Sequence, residues 1–204
     1  DVDAFYSLLH DVLKKSPEDV LGEIKSSNIR GRGGAGFPMG VKWDFCRKAE
    51  SDTKFIICNA DEGDPGAYSD RYLLEEQPHS VLFGMMVGGY CMGAQWGILY
   101  IRAEYPEAVD IVQDAIQELR DRNLLGDNIK GTGFNVDFKV IKAQGAYICG
   151  EETALINSIE GQRPEVRTRP PFPAIQGLFN KPTIVNNVET LAAVHWIIEN
   201  GGEA

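Results

Sequence analysis

Four short stretches of this chain carry residue types better suited to holding a ligand than to building a core. The first is Gly31-Arg32-Gly33-Gly34-Ala35-Gly36-Phe37-Pro38, with glycine at four of six successive positions. Glycine lets a backbone approach a ligand closely and aim its N–H groups at anions or carbonyl oxygens. The run satisfies GxGxxG, but a dinucleotide fingerprint must follow a strand and open a helix. Here residues 18–28 read as helical, so the pattern alone assigns nothing, and a surface turn accounts for it too. Just beyond stands Lys42, an ammonium placed either to pair with a phosphate or simply to be solvated.

The second stretch is Asn59-Ala60-Asp61-Glu62-Gly63-Asp64-Pro65-Gly66, directly after a short apolar run. Ligands of α/β sheets sit outside the carboxyl ends of strands. Acids there can accept hydrogen bonds from ribityl or ribose hydroxyls or from ring N–H groups. They could instead bind a divalent cation or form a plain acidic turn. In the third, Tyr147-Ile148-Cys149-Gly150-Glu151-Glu152-Thr153 puts two acids after a glycine at a helix start. The helix dipole accounts for them without a ligand, yet adjacent acids beside a tyrosine also suit sugar hydroxyls. The fourth, from Pro182 through Val185, Asn186, Asn187 and Glu189 to Thr190, leads into a helix. Asparagine is a good N-cap, and its amide can equally hold the polar edge of a heteroaromatic ring. Phe37, Phe45 and Phe172, the last among prolines, are flat partners for such a ring or ordinary core residues.

The elements that must position these residues follow from periodicity. Residues 3–28 read as short helices, with Ser16-Pro17-Glu18-Asp19 a good helix start. A loop over 31–40 and a short helix over 43–49 come next. An apolar run at 54–58 reads as a strand, 59–70 as a loop and 78–95 as a helix. Residues 97–102 read as a second strand. The helix over 106–122 is the clearest, with Val109, Val112, Ile116 and Leu119 on one stripe. Phe134, Val136, Phe138 and Val140 alternate with polar residues, a strand pattern. A helix over 150–160, an irregular proline-rich stretch over 163–182 and one final helix over 187–199 complete the chain. Strands alternating with helices predict an α/β fold, Rossmann-like and three-layered, with a mainly parallel sheet. A helical extension over 1–30 is expected to precede a ligand-binding domain over 31–204.

Composition narrows the partners. The chain has 204 residues, 43% of them apolar, and a formal charge of −10. That excess of acid argues against a nucleic-acid partner, which needs a basic face. Cys46, Cys58, Cys91 and Cys149 form no CxxC or CxxH pair, so no zinc or cluster nest is expected and buried reduced thiols are. Asp1-Val2-Asp3 starts no basic-then-apolar segment, so no signal peptide is expected. Residues 81–101 carry no charge and are long enough for a membrane span. Their many glycines and a change of character near Trp96 predict instead a buried helix followed by a buried strand.

Taken together and in this order, GRGGAGFP, CNADEGDPG, GAYICGEETAL and KPTIVNNVET resemble the NADH-oxidising flavoprotein subunits of respiratory complex I. The same family includes the diaphorase subunits of NAD-linked hydrogenases and formate dehydrogenases. No single motif would be specific, but the four are, and the likeness runs from Arg30 to about Gly201. It implies a domain holding FMN with NADH stacked over it, hydride passing from nicotinamide to flavin, and electrons passing on to iron–sulfur clusters. For NAD it implies Gly31, Arg32, Gly33, Gly34, Ala35, Gly36 and Asp64, with Phe37, Phe45 and Phe172 as stacking rings, and Arg169. For FMN it implies Gly31, Arg32, Gly33, Lys42, Asn59, Asp61, Glu62, Tyr147, Gly150, Glu151, Glu152, Val185, Asn186, Asn187 and Thr190. Glu152 also matches an acid that binds the adenosine ribose, implying NADH over NADPH. No residue is assigned as a general acid or base, since the flavin carries the hard step.

The sequence departs from the family pattern at two positions. Asp64 stands where a longer glutamate is expected, and Arg169 where complex I subunits commonly carry lysine. Arginine keeps the charge but is a planar fork, so its contact changes. The resemblance also implies a ubiquitin-like segment and a four-cysteine motif for a 4Fe-4S cluster after this domain. The 204 residues contain neither, so a chain cut off before its iron–sulfur region is expected. Expected partners are NADH and the iron–sulfur subunits of a larger redox complex, including a thioredoxin-like 2Fe-2S subunit. The expected location is cytoplasmic, at the face of a membrane complex in some parents, with no direct membrane insertion. The alternative is a non-catalytic nucleotide-binding or assembly module of a redox complex. A metal-dependent hydrolase built on Asp61, Glu62 and Asp64 lacks a nearby histidine, since His10, His79 and His195 fall on predicted helices.

Overall fold

The computed structural model describes residues 1–63, 66–143 and 147–204. A four-stranded parallel sheet lies at its centre: β1 (Phe55–Ala60), β2 (Trp96–Arg102), β3 (Asp137–Ala143) and β4 (Thr183–Asn187). Their spatial order is β3-β2-β1-β4. The chain therefore steps outward from β1 to β3, then returns to place β4 on the other side of β1.

Both faces of the sheet are covered, and the strand sequences show why. Ile56, Cys58 and Ala60 of β1, Leu99 and Ile101 of β2 and Ile184 of β4 point into one apolar cluster. Ile57, Ile98, Tyr100 and Val185 alternate with them into a second. A strand that is apolar on both faces must be buried on both. The first face is covered by α4 (Met39–Lys48), α6 (Pro78–Met92), α7 (Pro106–Asp121) and α9 (Val188–Ala192). The second is covered by α8 (Glu152–Ile159) and the 3-10 turns Tyr147–Gly150 and Leu178–Asn180.

The uncharged stretch is indeed a helix and then a strand. Pro78 opens α6, Gly93 closes it in the left-handed conformation, and eleven of its residues are buried. No helix among the described residues is long and apolar enough to cross a membrane. In α7, Val109, Val112, Ile116 and Leu119 are buried along one stripe, as the spacing predicts.

The expected N-terminal helices are α1 (Val2–Phe5), α2 (Ser7–Lys14) and α3 (Pro17–Ser26). Ser16 caps α3 by accepting from the Asp19 N–H at 3.1 Å. Tyr6, Leu9, Val12, Val20, Leu21 and Ile24 join the first apolar cluster, so these helices share a core with the sheet.

Several boundaries differ from expectation. Residues 183–187 form a strand where the local pattern predicts none. α5 (Ser69–Glu76) begins inside the expected loop and is likewise unpredicted. The last helix is two, α9 and α10 (Val194–Asn200). The strand expected from Phe134 begins at Asp137, because Val136 is taken by an antiparallel bridge to Gly126. The loop expected over 31–40 gives way to α4 at Met39.

Candidate functional site

Strand order creates a crevice before any side chain is considered. The chain reverses direction across the sheet between β1 and β4, and ligands of open parallel sheets bind outside the carboxyl ends at such a point. Those ends carry Asn59 and Asp61 on one side and Asn186 and Asn187 on the other, with Asn59 opposite Asn187 in register. Two of the four motifs thus meet through the pairing of β1 with β4.

The glycine loop is fastened to the same place. It closes on itself through Gly31 N–H to the Phe37 carbonyl at 2.9 Å and a bridge between Arg30 and Pro38. The Arg32 N–H donates to the Thr190 hydroxyl at 3.1 Å. Gly33 lies so near Asn187 that an added methyl would sit 3.6 Å from its Cβ. The N–H groups of Gly33, Gly34, Ala35 and Gly36 find no partner among the described residues. Behind the loop, the Trp43 indole of α4 donates to Asn186 Oδ1 at 2.9 Å in a fully buried bond.

The third motif joins from α8 and the turn before it. Asn59 donates from its amide to the Gly150 carbonyl at 2.9 Å, and its own Oδ1 accepts the Asp61 N–H at 3.1 Å. Glu151 caps α8, accepting from the Thr153 and Ala154 N–H groups, each at 3.0 Å. Glu152 is held by two cations, one on each oxygen: Lys42 at 3.4 Å and Arg169 at 2.9 Å. Lys42 also donates to the Val185 carbonyl, and Arg169 pairs with Glu151. The four charges form a neutral quartet across the crevice.

Asp61 is less well provided for. Its side chain is 4% exposed and its Oδ2 has no hydrogen-bond partner among the described residues. The nearest cation, Arg102 at the end of β2, is 3.9 Å from Oδ1. Burial raises the Asp61 pKa above its ordinary value, Arg102 pulling the other way. Glu62 beside it is fully engaged. One oxygen accepts the Ser69 hydroxyl and the other the Asp70 N–H, each at 3.0 Å, while its carbonyl accepts from Arg102 at 2.8 Å.

The residues expected from sequence are therefore joined, with exceptions. Gly31, Arg32, Gly33, Lys42, Asn59, Asp61, Gly150, Glu151, Glu152, Arg169, Val185, Asn186, Asn187 and Thr190 form a continuous set of contacts. Tyr147 is 77% exposed, in the 3-10 turn that ends at Gly150, and lies beside Gly63, whose added Cβ would be 3.1 Å from the ring. Phe37, Phe45 and Phe172 are all exposed and make no ring contact with one another. Asp64 lies outside the described residues. Sequence reasoning missed Trp43, Asp70 and Arg102. A cation at the carboxyl end of a predicted strand was a usable signal for Arg102. Asp70 offered none, because its helix has no apolar stripe to mark it.

Comparison with known proteins decides the family. Residues 24–196 match the family model Complex1_51K, the Nuo51 FMN-binding domain. The chain belongs to this family. It is 52% identical to the NADP-reducing hydrogenase subunit HndC of Solidesulfovibrio fructosivorans, over 97% of the chain and 40% of that protein. It is 47% identical to the F-type subunit of the NADH-quinone oxidoreductase of Aquifex aeolicus, over 98% of the chain and 47% of that protein. It is 50% identical to the alpha subunit of the NAD-reducing hydrogenase HoxS of Cupriavidus necator, over 97% of the chain and 33% of that protein. The crystal structure of an NAD+-reducing NiFe-hydrogenase in the air-oxidized state superposes with a TM-score of 0.85 at 40% identity. That match covers 99% of the chain and 33% of its counterpart. The chain thus spans a third to a half of the length of these relatives.

Proposed function

We propose that this chain is the FMN- and NADH-binding part of an NADH-oxidising oxidoreductase. Bound FMN would supply the redox chemistry, taking hydride from NADH and releasing electrons singly. The observation that carries this reading is the convergence of all four motifs on the carboxyl ends of β1 and β4, around an unpartnered buried acceptor, Asp61 Oδ2. A lone carboxylate oxygen lacking a donor fits a polyol hydroxyl, and open N–H groups on a glycine loop fit an anionic or carbonyl-bearing ligand.

The protein's own part is positioning. Gly31, Arg32, Gly33, Lys42, Asn59, Asp61, Glu62, Tyr147, Gly150, Glu151, Glu152, Val185, Asn186, Asn187 and Thr190 would line the flavin. Lys42 and the asparagine amides supply donors, and the carboxylates accept from hydroxyls. The nicotinamide nucleotide would lie against residues 31–36, with Phe37, Phe45 and Phe172 offering exposed flat faces; Asp64 is assigned to it from sequence alone. Glu152 would accept from the adenosine ribose hydroxyls, with Arg169 releasing it on binding. A 2′-phosphate in that place meets a carboxylate, which disfavours NADPH. Electrons would leave to iron–sulfur subunits of a larger complex, one of them thioredoxin-like with a 2Fe-2S cluster, at a cytoplasmic site. A 4Fe-4S cluster would belong to a segment beyond these residues.

The test is anaerobic. The chain is loaded with FMN, freed of excess flavin and titrated with NADH and then NADPH while flavin absorbance is followed. Bleaching by NADH at far lower concentration than by NADPH is expected. Bound flavin that NADH never bleaches would replace this reading with a non-catalytic nucleotide-binding module. Equal bleaching by both nucleotides would remove the selectivity assigned to Glu152.

A further inference from the structure

The irregular stretch between α8 and β4 carries two residues assigned to the nicotinamide nucleotide, Arg169 and Phe172. It has little backbone structure of its own to hold them. Within residues 163–171, Pro164, Pro170 and Pro171 have no N–H to give. Of the other N–H groups there, only that of Arg167 finds a partner among the described residues, the Thr153 hydroxyl of α8 at 3.0 Å. Side chains must therefore fix what the backbone cannot.

The Arg167 guanidinium reaches three partners at once. Its Nε donates to Asn157 Oδ1 of α8 at 2.7 Å. Its Nη2 pairs with Glu160 Oε2, at the C-terminal end of α8, at 2.7 Å. Its Nη1 donates to the Gly177 carbonyl at 3.2 Å. Both side chains that accept from it are tied back to the same stretch. The Asn157 amide donates to the Glu165 carbonyl at 2.7 Å, and Glu160 Oε1 accepts the Phe179 N–H at 2.8 Å. A planar, permanently charged fork suits such a divergent set of acceptors. Two positions further along the chain, Arg169 makes its ion pairs with Glu151 and Glu152.

We propose that Arg167 is a positioning residue for the nicotinamide nucleotide, clamping residues 163–177 onto α8 so that Arg169 stands against Glu151 and Glu152 and Phe172 keeps its exposed ring in place. The inference rests on the reading that the crevice takes NADH over bound FMN.

The role separates the two ligands. The flavin-lining residues of β1, β4 and the glycine loop are held by bonds in which Arg167 has no part: Asn59 to Gly150, Trp43 to Asn186 and Arg32 to Thr190. Glu151 keeps its cap on α8 and Glu152 keeps Lys42 when Arg169 is withdrawn. Releasing the clamp therefore disturbs the nucleotide and spares the flavin.

The experiment compares the wild-type chain with Arg167→Met, which removes the fork, and Arg167→Lys, which keeps the charge but cannot reach all three partners. FMN affinity is read by quenching of flavin fluorescence, and NADH by the concentration that half-bleaches the bound flavin without air. That concentration should rise about tenfold in Arg167→Met and about threefold in Arg167→Lys, while FMN affinity stays within about twofold of wild type. Should Arg167→Met fail to fold, Arg167→Lys carries the same test. An unchanged NADH dependence in a folded variant would overturn the proposal. A loss of FMN affinity as large as the loss for NADH would overturn it too, because it marks a residue that only supports the fold. Coupling gives a stricter check. The shift that Arg169→Ala makes in the NADH-to-NADPH ratio should shrink to under about half in an Arg167→Met background, where Arg169 has already left its place. An undiminished shift counts against the clamp. Hydrogen exchange needs no ligand. The backbone amides of residues 167 and 179 should exchange at least about tenfold faster in the variants, with those of β1 unchanged. If the wild-type chain binds no FMN, or NADH never bleaches it, the reading of the crevice fails, and exchange decides the clamp by itself. Equal exchange in wild type and variants overturns it.

Discussion

The glycines of α6 and those of the loop over 31–36 are the same residue used for opposite reasons. In α6, a methyl added at Gly84 would lie 2.1 Å from the Leu191 carbonyl oxygen, and one at Gly88 would lie 2.5 Å from Ile56. Those glycines let a helix lie directly against α9 and the sheet. At Gly34 and Gly36 an added methyl would meet nothing within 4 Å, yet both residues have positive φ, +112° and +61°. Their freedom serves backbone shape at an open surface. Packing fixes the first set; the second leaves its N–H groups free for something outside the chain. One glycine set answers to the core, the other to backbone shape at the surface.

Substitutions can break this contrast. Gly84→Ala should be the most damaging, because the clashing atom is backbone and α6 must move away from α9. A loss of about 3 kcal/mol in a denaturant titration is expected. Asp61→Ala should do the reverse of Gly84→Ala. FMN affinity should fall by about tenfold to about a hundredfold with the loss of a charged acceptor. Stability at neutral pH should stay level or rise, since a buried carboxylate oxygen without a donor, Asp61 Oδ2, is removed. Gly34→Ala should cost only about 1 kcal/mol of stability, as strain without a clash, while weakening nucleotide binding more than that figure suggests. Arg169→Ala should change stability least, under about 1 kcal/mol, because the ion pairs it makes are part-exposed. Its effect should show instead in how NADH competes with NADPH.

Stability should also follow pH through Asp70. Its pKa is raised in the folded chain from an ordinary 3.8 to about 7. The folded state therefore holds a proton that the unfolded state has lost. That contribution is complete below about pH 4 and disappears as pH rises through about 7. Within this window the melting temperature of wild type should fall relative to Asp70→Asn, and a scan of both proteins from acid to neutral pH checks it.

The contrast also marks where sequence was informative. β1 and β2 were legible because a short apolar run bounded by polar loops is the pattern of a strand buried on both faces. β4 was not, because Thr183-Ile184-Val185-Asn186-Asn187 ends in two asparagines, a residue type depleted in strands. The Trp43 indole, 143 positions away, satisfies the amide oxygen of Asn186 there. α5 was illegible for a different reason. Of its eight residues only Asp70 and Leu74 are buried, so no apolar stripe marks it. The break between α9 and α10 falls at Ala193, an alanine that gives no stop signal. The site motifs were legible one by one as glycines, acids and amides. What joins them, the return of the chain to put β4 beside β1, is a long-range pairing that no local pattern encodes.

We propose the carboxyl edge of β1 and β4 as the flavin cradle. It is tested most directly by titrating FMN into the isotopically labelled chain and following backbone amides by NMR. The amides of Gly33, Asn59, Asp61, Asn186 and Asn187 should move first and saturate together. The opposite edge of the sheet offers an internal control in the 370 Å³ cavity lined by Tyr90, Gln95 and Phe134. Shifts confined to that cavity, with the carboxyl edge unmoved, would place the flavin elsewhere than on β1 and β4.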